Sequence, residues 1–120
     1  MAFAEFRLAL GRLRGDQPED ERLFSARFIE LFGRGSTPQA DRSRYPEPNE
    51  ILDTLDRVHQ QALGTIATFT DVELDEPQIG PPHRIFSTKL DALFWCARHE
   101  MLHAGQIGLL KRLQGNAPRW

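Results

Sequence analysis

Residues 49–69, NEILDTLDRVHQQALGTIATF, carry the most regular pattern in the chain. Ile51, Leu55, Val58, Ala62, Ile66 and Phe69 recur at steps of three and four, which sets them on one narrow arc of an α-helix, and Leu52 and Leu63 widen that arc. A helix with one apolar arc must bury it against other elements, so the flanking sequence has to supply partners. Downstream, residues 71–86 contain Pro77, Gly80, Pro81 and Pro82 and predict turns rather than a helix. Thr88 and Asp91 then form a capping box, and a last helix is expected over 88–114, with Lys111 and Arg112 suiting its carboxyl end and Gly115 stopping it. On its wheel, Leu90, Phe94, Ala97, Met101, Ala104 and Gly108 share one face, while Ala92, Cys96, His99, His103, Gln106 and Leu110 share another. Two such faces predict a helix buried on both sides.

Upstream, Phe3, Phe6, Leu10 and Leu13 predict an amphipathic helix over 3–14 that Gly15 closes. Asp16-Gln17-Pro18 restarts the chain into a shorter helix carrying Leu23, Phe24, Phe28, Ile29 and Phe32, ending near Gly33. Residues 33–48, with two glycines and three prolines, read as a connector. No strand, repeat or low-complexity tract is predicted. With 120 residues there is room for one core, so the expectation is a single all-α domain over 1–120, an antiparallel bundle with the 49–69 and 88–114 helices at its centre.

Composition narrows the function. Fifteen basic and seventeen acidic residues give a net charge of −2 without a block of like charges, which argues against nucleic acid as a partner. The longest apolar run, from Ala92 to Ala97, falls far short of the roughly 20 residues a bilayer span needs, so no membrane association is expected. The first ten residues lack the pattern of a secretory signal and Cys96 stands alone, which together predict a cytoplasmic protein.

The chemistry concentrates on the last helix. His99 and His103 are four residues apart, so their rings stack one turn apart on one face, close enough to share a metal ion. Such an ion usually takes at least three protein donors. His99-Glu100-Met101-Leu102-His103 satisfies the HExxH pattern of zinc peptidases, but the third ligand of those enzymes lies downstream. Here Leu109 occupies the sixth position after His103, and no Asp, Glu or His follows, so the peptidase reading is set aside. Gln106, one turn beyond His103, is placed to orient a ligand or to serve as a polar residue at an interface.

Other donors carry two readings each. His59 falls inside the apolar arc of 49–69, as an inward third metal ligand or as a boundary histidine bonded to a neighbour. Cys96 lies one turn before His99, as a thiolate near a metal or as a small hydrophobe. Glu100 is the nearest carboxylate and a candidate general base, although it diverges from the histidines on the wheel. His83 sits in the proline-rich loop and is expected in solvent, and Trp95 and Trp120 serve packing, a pocket wall or a subunit contact.

The string His99-Glu100-Met101-Leu102-His103-Ala104-Gly105-Gln106-Ile107, followed by Leu110, Arg112, Leu113 and Gly115, resembles the carboxyl-terminal helix of the DinB-like (YfiT-like) metalloenzymes. Residues 48–69 and the following Thr70-Asp71-Val72-Glu73-Leu74-Asp75 are similar to that family's third helix and turn, and Ala2-Phe3-Ala4-Glu5 is similar to part of its second. The resemblance implies a four-helix bundle, here short of its N-terminal helix, that holds a divalent metal through three histidines. Two of them match His99 and His103. The remaining one would fall directly before Met1, so either the chain is a short form or its start lies at an internal methionine. Zinc or nickel is the implied metal, with a low-molecular-weight thiol such as bacillithiol or mycothiol as co-substrate of an S-transferase or isomerase. Hydrolysis by metal-activated water is the other chemistry within this class. The alternative is a truncated, non-catalytic bundle acting as a dimerising or ligand-binding module. Either way a missing fourth wall leaves apolar surface to cover, and a homodimer is expected.

Overall fold

The computed structural model describes residues 1–117, and the reading of Trp120 lies outside them. Helix α1 is a continuous helical run over 2–14 built from α turns Ala2–Glu5 and Gly11–Arg14 around a π-helical segment, Phe6–Leu10. It ends where Gly15 takes φ 76°, a left-handed angle open to a residue without Cβ. The wider π turn carries an extra residue and so rotates the faces of the helix. The buried set is therefore Ala2, Glu5, Ala9, Leu10 and Leu13, while Phe3 and Phe6 of the expected stripe are only partly covered.

The predicted second helix over 18–33 is two elements. A 3-10 turn, Pro18–Arg22, is held by Asp20, which receives two hydrogen bonds from Arg14 and one from the Gln17 N–H. The chain then breaks, and Ser25 starts helix α2, Ala26–Phe32, by accepting from the Phe28 N–H. Edge-to-face and tilted rings run from Phe3 and Phe6 through Phe24 and Phe28 to Phe32 and Tyr45, tying this segment to α1.

Helix α3, Pro48–Ile66, follows with proline in its first turn. Val58 and Ala62 are buried on its predicted arc, whereas Leu52 and Leu63 stand exposed. The stretch expected to hold only turns contains one helical turn, Asp71–Leu74, because Thr70 and Glu73 form a reciprocal capping box. Arg12 reaches from α1 to Gln78 and to the carbonyls of Ile79 and Pro81, strapping the following loop down. Helix α4, Lys89–Leu113, opens with the predicted Thr88–Asp91 capping box.

Packing departs from expectation in two ways. First, α3 and α4 both pack on α1 rather than on each other, so α1 is the central element of this all-α bundle. Small residues allow it: Ala2 and Ala9 of α1 join Ala62 of α3 and Cys96 of α4 in one buried cluster. Second, α4 is buried on one side only and over its first half only. Phe94 and Met101 of one predicted buried face are exposed, and beyond Cys96 no α4 residue is fully buried. The reason is length, since α1 spans about 20 Å and α4 about 37 Å. Among the described residues there is no strand, only an isolated bridge between Pro77 and Thr88, and no helix is long and apolar enough to cross a membrane.

Candidate metal centre

His99 and His103 project from the middle of α4 with ring centroids 4.7 Å apart and planes at 88°. Helical spacing alone brings them together, so this part of the site is built locally. Trp95, one turn earlier, covers His99 at 6.2 Å. The Nδ1 of His103 lies 3.2 Å from Oε1 of Gln106, an arrangement in which the ring N–H donates to the amide oxygen and leaves Nε2 with its lone pair. The Nδ1 of His99 is buried without any hydrogen-bond partner. Burial pushes the His99 pKa below its usual value, the neighbouring His103 ring works in the same direction, and nearby Glu100 opposes it only in part. A neutral imidazole with an orphaned, desolvated nitrogen suits a cation, because a metal ion accepts the lone pair that no protein donor meets.

The other candidate donors stand elsewhere. His59 faces Glu5 across the gap between α3 and α1, with its Nδ1 2.7 Å from Glu5 Oε1 and its side chain half exposed. Among the described residues no group of three His, Cys, Asp or Glu side chains is gathered closely enough to hold a metal ion, and His59 stands against Glu5. Cys96 belongs to the buried cluster, and its thiol is pushed up to about 12 by burial first and then by the charges of Glu5 and Glu100. That makes it a small hydrophobe rather than a thiolate at neutral pH. His83 is partly covered by stacking on Phe86 at 4.0 Å, away from full solvent exposure, and its Nδ1 accepts from the Ile85 N–H.

A groove of about 550 Å³ runs between α3 and α4, lined also by Met1 and by Glu5 and Ala9 of α1; Cys96 and Glu100 of α4 line it, and His99 and His103 do not. Glu100 lines this groove, and its Oε1 is buried without a partner. Glu100 thus lines the groove while the histidines do not, in line with its divergence from them on the wheel. Glu5 and Asp56 also line the groove, although sequence reasoning gave neither a place in a site. For Glu5 a signal existed: it shares the spacing of Ala2, Ala9 and Leu13, an acid within a stripe that is otherwise apolar.

Compared with known proteins, the chain matches the family model described as the DinB superfamily over residues 2–107. No curated protein and no solved structure matches it.

Proposed function

The chain belongs to the DinB superfamily, and on that premise we propose that it binds a divalent metal ion, zinc or nickel, through His99 and His103 and uses it in thiol S-transfer or hydrolysis. The single observation that supports this is the buried, unpartnered Nδ1 of His99 beside the ring of His103. When bound, the ion lowers the pKa of a coordinated thiol or water, so that either is a nucleophile at neutral pH. Gln106 fixes the tautomer of His103, and Trp95 shields one side of His99 from water. Glu100 sits about a quarter turn or less from the pair, and its side chain lines the groove in which a substrate would lie. The one cysteine of the sequence, Cys96, is buried in the core cluster, so in this reading the reacting thiol comes from solution.

Two protein donors are fewer than such ions usually take, and this supports a second reading, the bundle that carries no metal and serves as a dimerising or ligand-binding module. Metal analysis separates the two. Protein purified without affinity tag or chelator is expected to carry about one ion per chain, and the His99→Ala, His103→Ala double variant none. Absence of metal from both proteins sinks the metalloenzyme reading.

A further inference from the structure

Besides the α4 pair, one further imidazole stands in a defined polar contact. The Nδ1 of His59 lies 2.7 Å from Oε1 of Glu5, across the gap between α3 and α1. The two side chains are exposed unequally, His59 at 51% and Glu5 at 12%. An ordinary surface ion pair leaves both groups in water, whereas here the acid is buried and the base is open. Glu5 interrupts the buried stripe of Ala2, Ala9 and Leu13, and among the described residues His59 is the one hydrogen-bond partner of its side chain. In the neutral ring that contact sets the proton on Nδ1 and leaves the lone pair on Nε2, which makes no hydrogen bond within the described residues. A carboxylate that fixes a histidine in this tautomer is the arrangement a general base requires.

Both residues line the groove between α3 and α4. Leu55, Leu63, Ile66 and Leu93 make its walls apolar, and no Lys or Arg side chain contributes to them. Its volume of about 550 Å³ is ordinary for a small-molecule site. Such walls take up a neutral apolar molecule and offer nothing to offset the desolvation of an anion.

We propose that this groove is a second reactive site, in which Nε2 of His59 removes and returns a proton of a small, neutral, apolar substrate while Glu5 positions the ring. The proton leaves a C–H, N–H or O–H bond for Nε2, the electron pair stays on the substrate, and the imidazolium gives the proton back at another atom of the same molecule. Nothing is oxidised or reduced, and no co-reactant is consumed. His59 is the catalytic residue, and Glu5, which acts through it, is a positioning residue. This chemistry is independent of metal binding, since neither His99 nor His103 lines the groove.

Elimination of 5-nitrobenzisoxazole by the full chain at about pH 8, with and without chelator, tests it, because this neutral apolar probe reacts on proton removal alone. The base takes the ring C–H proton, that electron pair forms the nitrile, and the N–O bond breaks to give a coloured phenoxide. The chain is expected to outpace the same concentration of free imidazole by about tenfold or more, equally in both conditions. His59→Ala, at a half-exposed position, should keep its circular dichroism and KM while kcat falls about 100-fold, and added imidazole should restore part of the rate. Glu5→Gln should lower kcat about tenfold with little change in KM, and Glu5→Asp should recover part of that loss. A chain no faster than free imidazole overturns the proposal. So does a rate that survives His59→Ala, which would assign the base to another side chain, or one that the chelator abolishes.

Discussion

Replacing Asp20 by alanine should cost about 3 kcal/mol of folding free energy, because the residue joins the end of α1 to the turn that follows. Its carboxylate receives Arg14 at 2.6 and 3.0 Å and the Gln17 N–H at 2.8 Å. Asp20 retains only 7% of its side-chain exposure and Arg14 16%, so neither charge has much water to fall back on. Hydrogen bonds to a charged group contribute about 1.5–3 kcal/mol, and stranding one member of a buried pair costs about 3–5. The Gly15 carbonyl, 3.1 Å from Arg14, remains as a partial partner and keeps the estimate at the lower end. Urea unfolding followed by circular dichroism at pH 7 and fixed protein concentration measures the loss. Asp20→Asn should lose about half as much, and Arg14→Met with Asp20→Leu should come within about 1 kcal/mol of the parent, since two apolar groups replace a pair. Burial by itself would raise the Asp20 carboxyl, yet the Arg14 hydrogen bonds, the Gln17 N–H and the Arg14 charge hold it below its usual value of 3.8. Stability from this group is thus present above the unfolded value and lost as pH falls through the folded one. The acid limb of the stability curve should therefore be shallower in Asp20→Asn. A loss below about 1 kcal/mol for Asp20→Ala, or a double variant as unstable as the single one, refutes the reasoning.

Three further outcomes follow from the same structure. Leu10, with 0% exposure in the shared core of α1, should cost about 2–5 kcal/mol when cut to alanine, measured by the same urea titration. Cys96 should resist alkylation at pH 8 in the folded protein and react within minutes in denaturant, since its thiol is pushed up to about 12; fast labelling of folded protein would contradict that placement. For metal-free protein, the lowered His99 pKa means the folded chain prefers the neutral ring. Stability should be full above the ordinary histidine value of 6.5 and fall as pH drops through the folded value, and His99→Ala should flatten that slope in thermal melts.

Much of the secondary structure was legible because its causes are local. The Thr88–Asp91 box, the Val58 and Ala62 arc and the stop at Gly15 each depend on residues within a turn or two of one another. The same holds for the pairing of His99 with His103, which a single helix fixes. The break before Ser25 was not legible, because it depends on Arg14 reaching across to Asp20 in competition with an apolar pattern that continues unbroken. Membership of the DinB superfamily, carried by the motif on the last helix and matched over residues 2–107, belongs with the legible part.

Which helix sits in the middle was decided by tertiary structure. Periodicity says that a face is buried but not against what, and both long helices turned out to lean on α1, whose π segment no spacing rule announces. The groove, the contact of Glu5 with His59 and the orphaned oxygen of Glu100 exist only once three helices distant in sequence have been set side by side. The amino-acid sequence by itself determined the helices, their caps and the adjacent histidines, since these arise from neighbours along the chain. Only the three-dimensional packing determined which polar groups lost their water and which apolar faces were left uncovered, because desolvation is a property of everything that surrounds an atom.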